Sequence, residues 1–169
     1  MTTTTTIRHG RDAHWGALAL LVAATVLTAV VGALAAIDAQ GFYRQLAQPS
    51  WAPPPGVFGP VWSVLYALMC VAAWLVVREV GTQAARPALQ LFGAQLVANA
   101  LWTWLFFRWH VGSLAFFEVL VLLTLAASTT RAFWRRRALS GWLMLPYVAW
   151  VAFASALTFA MWQLNPGQL

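Results

Sequence analysis

Apolar residues fall along the chain in five blocks, at about 15–37, 57–77, 88–107, 111–130 and 141–162, with short polar stretches between them. A helix needs roughly 20 apolar residues to cross the ~30 Å hydrocarbon layer of a bilayer, so each block is long enough to span. The pattern predicts an all-α membrane protein, a bundle of five transmembrane helices forming one domain over residues 15–162. The links after the second, third and fourth blocks are short turns, which makes successive helices antiparallel. The first link is the longest, passing Asp38, Tyr43 and Arg44 into Gln48-Pro49-Ser50-Trp51-Ala52-Pro53-Pro54-Pro55-Gly56. Successive prolines remove donors and push the residue before each toward an extended backbone, so this segment reads as a fixed, mostly extended flap. It fits a cover over a pocket or a plain linker equally well.

The ends are polar. Residues 1–14, with threonine at every position from 2 to 6, read as a disordered tail, and residues 163–169 as a short C-terminal tail. A cleaved signal peptide is the competing reading of the first block, since Ala33-Leu34-Ala35 looks like a small-residue cleavage site. The block is, however, longer than the roughly 7 to 15 residues of a signal core.

Composition agrees with the spans: 62% of residues are hydrophobic, 8% are charged and the mean hydropathy is +0.71, against about 25% charged in soluble domains. The net charge of +6 comes entirely from arginine. Arg8, Arg11, Arg78, Arg86, Arg131, Arg135, Arg136 and Arg137 fall on one face of the predicted bundle, and only Arg44 and Arg108 on the other. The positive-inside rule therefore puts the N-terminus of a multi-pass integral protein in the cytoplasm, and the membrane expected is that of a bacterial cell. The Arg135 to Arg137 run reads first as a topology anchor, and second as a site for anionic lipid or a carboxylate. No arginine-rich helix alternates with solvated polar positions, which argues against nucleic acid. Cys70 has no partner for a disulfide, and His9, His14 and His110 lack metal-ligand spacing, so no metal site is predicted. One histidine could serve as an axial haem ligand, although an interfacial histidine is more often simply solvated. No catalytic triad is present.

Polar side chains inside a span are costly unless partnered or wet. Glu118 is the only acid within a block; it fits a proton relay, or a position near the interface or bonded to a neighbouring helix. Gln95 and Asn99 project from one face of the third span, with Trp102 and Phe106 continuing nearby. Amides so placed often just hold helices together. Trp62 and Tyr66 share a face of the second span, as Tyr147, Trp150 and Ala154 do on the fifth. An interfacial aromatic belt accounts for part of the 11 tryptophans, but Trp62 and Trp150 lie within spans. Small residues allow close helix approach in lipid, so Ala94 with Ala98, and Gly32 with Ala36, are candidate homodimer contacts.

Four ordered motifs then carry a resemblance. Pro49-x-Trp51-x-Pro53-Pro54 leads into Phe58-x-x-x-Trp62-x-x-Leu65-Tyr66; Gln95-Leu96-x-x-Asn99-x-x-Trp102 is followed by Phe106-Phe107; and Pro146-Tyr147-x-x-Trp150 closes the set. Together with five spans they resemble the translocator protein / tryptophan-rich sensory protein (TspO/MBR) family over nearly all of 15–162. The resemblance implies a membrane protein, commonly homodimeric, that binds porphyrins, with sterols and benzodiazepine-type drugs as ligands of animal members. Its pocket would lie among the helices beneath the first loop. By position, its ligand-binding residues would be Trp51, Pro53, Trp62, Tyr66, Asn99, Trp102, Phe106, Tyr147, Trp150 and Ala154. Trp62 and Trp150 match the tryptophans implicated in light-dependent porphyrin breakdown by some bacterial members. Gln48 stands where the family often has lysine and Leu157-Thr158 where it often has Leu-Asn, while Phe159 and Gln163 depart from the animal cholesterol motif.

The leading expectation is a sensor or transporter that binds a porphyrin or haem as ligand, with no cofactor required. An enzyme degrading porphyrin in light and oxygen, with Trp62 and Trp150 as its catalytic residues, is the alternative. A regulatory membrane partner or a sterol or lipid binder is a third.

Overall fold

A computed structural model describes the backbone over residues 5–169 and side chains from residue 15 onward. Among the described residues, four helices are apolar and long enough to cross a bilayer, and one of them is a double pass. Helix α1 covers Thr5–Ala35 and α2 covers Ala39–Gln45; α3 covers Phe58–Thr103, α4 covers Gly112–Trp134 and α5 covers Ala138–Leu164.

A straight helix the length of α3 would be about 69 Å long at 1.5 Å per residue, twice what a bilayer needs. Gly81 breaks it: its φ of 78° and ψ of 162° lie outside the helical region, in backbone space essentially reserved for glycine. The two arms, 58–80 and 82–103, fold back on each other. The Tyr66 hydroxyl reaches Asn99 and the Gln95 amide reaches Met69, pairs centred close to Gly81. The chain therefore makes five transmembrane passes, as the apolar blocks predict.

Several boundaries differ from the expectation. The approach expected to be disordered up to His14 is helical from Thr5, because extending a formed helix costs little beside nucleating one; residues 1–4 lie outside the described residues. The link expected at 78–87 is helical except at Gly81, which leaves few backbone groups unpaired at the membrane surface. The first link contains α2, and α3 ends in a π-helical turn, Trp104–Arg108.

The outward faces are apolar, with Leu20 74% and Val97 70% exposed, as lipid contact requires. Inside, Ala72, Ala73, Val76 and Val77 of the first arm meet Val119 and Leu122 of α4 and Met144 and Val151 of α5 in one buried cluster. The helices are not held equally. α4 and α5 pack on each other and on α3, whereas the main contacts of α1 are with α3 and the π-helical turn. Trp104 Nε1 donates to the Val31 carbonyl at 3.2 Å and ties α1 to that turn.

Candidate functional site

A cavity of about 310 Å³ lies where α1, α2, the first loop and both arms of α3 converge. Its walls differ in kind. Ala29, Gly32 and Ala33 of α1, with Ala36 just past its end on the continuing turn, form one face at the i, i+3, i+4, i+7 spacing of a helical stripe. Opposite stand Phe58, Trp62 and Tyr66 of the first arm, with Trp102 and Phe107 from the second arm and the π-helical turn; Tyr43 of α2 closes the loop side. A small-residue wall facing an aromatic one leaves a slot. A narrow extension of about 20 Å³ shares Tyr43, Phe58, Trp62, Trp102 and Phe107 and continues to Phe106, Trp150 and Ala154.

Local sequence explains the two walls. At Gly32 a Cβ would stand 3.7 Å from Thr103 Oγ1, so the α1 backbone comes close to the second arm there. The aromatic wall is self-packed: Trp62 and Tyr66 lie 5.6 Å apart between ring centroids, and Trp102 stacks on Phe106 at 5.9 Å and 18°. Phe58 presents its edge to Trp150 at 6.0 Å.

Behind the wall is a polar knot. The Tyr66 hydroxyl donates to Asn99 Oδ1 at 2.6 Å, and Asn99 Nδ2 donates to the Tyr147 hydroxyl at 3.5 Å. Asn99 and Tyr147 are buried and line neither the slot nor its extension; only Tyr66 joins the knot to the slot. Gln95 is likewise turned inward, donating to Met69 Sδ at 3.4 Å. Both amides hold helices together in this structure.

The loop is pinned over the slot. The Tyr43 hydroxyl donates to the Pro53 carbonyl at 3.0 Å; burial pushes its pKa above the ordinary tyrosine value, which keeps it a neutral donor. Asn165 accepts from the Ala47 N–H at 2.8 Å and donates to the Ala47 carbonyl at 2.9 Å, so the segment after α5 holds the loop down. Trp51 is half-exposed and sets its edge on Phe153 at 5.8 Å. Pro53 enters through its carbonyl and lines neither space.

Of the ten residues singled out from sequence, Trp62, Tyr66 and Trp102 line the slot and Phe106, Trp150 and Ala154 line the extension. Trp51 and Pro53 lie in the cover, with Asn99 and Tyr147 behind the wall. Sequence reasoning missed the α1 stripe, Tyr43 and Asn165. Gly32 and Ala36, considered there as a dimer contact, face the slot, and Ala98 is buried within the chain, leaving Ala94 exposed.

Among the described residues, three polar atoms near this region are buried without a hydrogen-bond partner: Trp102 Nε1, Gln95 Oε1 and Glu118 Oε2. Trp102 is the one that lines the slot, and an unpaired buried donor costs roughly 1–3 kcal/mol. The ring lines the slot while its nitrogen is closed off from it, so an acceptor on a bound molecule would reach this donor only after the ring turns. His110 has a left-handed backbone, φ 54°, and its ring stacks on Phe42 at 3.9 Å. It lines an outer cleft with Asp38 and Arg108, not the slot. No cluster of three or more metal-ligating side chains occurs among the described residues.

The TspO/MBR family model matches residues 18–163. Protein CrtK of Rhodobacter capsulatus is 40% identical over 156 residues, covering 89% of this chain and 96% of that protein. The human translocator protein is 38% identical over 128 residues, 75% of this chain and 76% of that one. The tryptophan-rich sensory protein of Cereibacter sphaeroides is 35% identical over 151 residues, 89% and 92% respectively.

Proposed function

The chain belongs to the TspO/MBR family of multi-pass membrane proteins, and from that premise we propose that it binds a tetrapyrrole in the slot between α1 and the arms of α3, as a sensor or transporter. The observation that carries this reading is the pairing of a small-residue wall, Ala29, Gly32, Ala33 and Ala36, with the aromatic wall at Trp62 and Trp102. A flat, largely apolar macrocycle fits between such walls, gaining ring contacts on one side and close backbone approach on the other. A turn of the Trp102 ring would present its unpaired N–H to an acceptor on the macrocycle and fix its orientation. Because the main contacts of α1 are with α3 and the π-helical turn, an outward movement of α1 would open the slot to a ligand from the lipid.

Binding is tested by tryptophan-fluorescence quenching with protoporphyrin IX in the dark. Saturable quenching that weakens in Trp62→Phe and Gly32→Phe supports the reading. Quenching that never saturates, or that ignores both substitutions, removes it.

A second reading rests on Trp62 and Trp150, which both line the narrow extension. There they could support oxidative breakdown of bound porphyrin in light and oxygen. Multiple turnovers lost in Trp150→Phe would favour catalysis; a single bleaching event would not. A homodimer would meet through the exposed Ala94, and Ala94→Leu should then lower the dimer fraction in detergent.

A further inference from the structure

At the opposite end of α4 from His110, an open groove of about 380 Å³ lies between α4 and α5. Its lining includes Ala127, Arg131, Trp134, Arg135, Leu145 and Val148. The chemistry is divided along the bilayer normal. Arg131 and Arg135 are exposed, stand one turn apart on the same side of α4 and lie at its end. Ala127, Leu145 and Val148 sit about two turns or more inside the ends of their helices, which carries the groove floor about 10 Å in from those ends.

The side wall is rigid. Trp134 packs on Trp142 at 4.8 Å between ring centroids, and it lies so close to Gly141 that a methyl group there would run into its ring. Among the described side chains, the two guanidiniums have no carboxylate partner. Glu79, the one acid at this end among the described side chains, pairs with Arg137 at 2.9 Å. Arg136 turns instead to the Ala84 and Ala132 carbonyls. Topology anchoring needs positive charge on this face, but it needs no apolar groove running inward from that charge.

The geometry points to a binding site for a phospholipid with an anionic head group, its phosphate held by Arg131 and Arg135 and one acyl chain laid along Ala127, Leu145 and Val148. A paired cationic head over a dry floor complements an anionic phosphate on a hydrocarbon chain. A zwitterionic lipid would bring its own cation to the same pair, and a free anion would leave the floor empty.

Native mass spectrometry of the full chain released from nanodiscs with equal phosphatidylglycerol and phosphatidylcholine, acyl chains matched, tests this. The wild type should retain phosphatidylglycerol selectively. Arg131→Gln with Arg135→Gln should lower the apparent affinity about 30-fold. Val148→Trp, which fills the floor and keeps both charges, should lower it as well. Arg78→Gln with Arg86→Gln, on the same face but outside the groove, should leave it unchanged. All these positions except Val148 are on the surface, and wild-type helical circular dichroism checks each fold. Equal retention of the two lipids, an unaffected double variant, or an equal loss in the Arg78 and Arg86 control overturns the site. So does displacement of phosphatidylglycerol by millimolar inorganic phosphate, which would make it a site for a free anion.

Discussion

Replacing Asn99 with leucine separates two roles that its position allows, holding helices together and contacting a ligand. Asn99 is 1% exposed, accepts from Tyr66 at 2.6 Å and donates to Tyr147 at 3.5 Å. The first distance is that of a strong O–H···O bond, whereas the second sits at the outer limit and contributes little. Without the amide, the Tyr66 hydroxyl and the fully buried Tyr147 hydroxyl lose their partner. Orphaning a buried polar group costs about 1–3 kcal/mol, and interhelical hydrogen bonds in bilayers measure about 0.6 and at most about 1.7 kcal/mol. Asn99→Leu should therefore cost about 1–2 kcal/mol of stability. Tyr66→Phe should cost about as much, and the double variant clearly less than the sum, with a coupling of about 1 kcal/mol. Unfolding free energies of the four proteins in bicelles give the cycle, and dark porphyrin titrations on the same samples give the affinities. Because Asn99 lies behind the slot wall, affinity in Asn99→Leu should stay within about threefold of wild type, less than 1 kcal/mol. Additivity within about 0.3 kcal/mol would refute the coupling. A tenfold or greater loss of affinity at unchanged stability would make Asn99 a ligand group.

Three further substitutions probe other parts of the account. Gly81→Ala should destabilise by about 1–3 kcal/mol, although nothing crowds the new methyl, because its φ of 78° is a glycine conformation; unchanged stability would mean that the arms fold back by another route. Asn165→Ala removes both bonds to Ala47 and should raise amide exchange across the first loop, while loop protection at the wild-type level would show the cover to be held elsewhere. Trp102→Phe keeps an aromatic wall and removes its unpaired donor, so it should weaken a porphyrin bearing carboxylates about tenfold and leave an apolar analogue untouched; equal effects on both ligands would contradict the donor role.

The spans were legible because hydrocarbon requires apolar side chains over about 20 residues and backbone groups bonded inside their own helix, and the first requirement writes five long apolar blocks into the chain. What lay between them was harder to read. Residues 78–87 carry Arg78, Glu79, Thr82 and Gln83, a composition that suits a loop, yet one glycine torsion makes the turn. α2 and the π-helical turn left no periodic signal, being seven and five residues long.

The aromatic side of the slot follows from the i, i+4 spacing of Trp62 with Tyr66 and of Trp102 with Phe106. The other wall was hidden, because a stripe of alanine and glycine on a membrane helix reads as a packing face, and nothing in Gly32 and Ala36 says that they face a space within the chain. Asn99 shows the opposite difficulty. Its residue type allows a ligand contact, and only the position of two tyrosine hydroxyls turns it into a bond between helices. Asn165 lies beyond the last span, where sequence reads only a tail, and its contact with Ala47 joins residues 118 positions apart.

The most direct test of the slot is a crystal structure of the protein grown from a lipid mesophase with protoporphyrin IX. The macrocycle should lie between the small-residue face at Ala29, Gly32, Ala33 and Ala36 and the rings of Trp62 and Trp102, with an acceptor atom within hydrogen-bond reach of Trp102 Nε1. A macrocycle on the lipid-facing surface, or one lying against Trp134 with the slot unchanged, would contradict it.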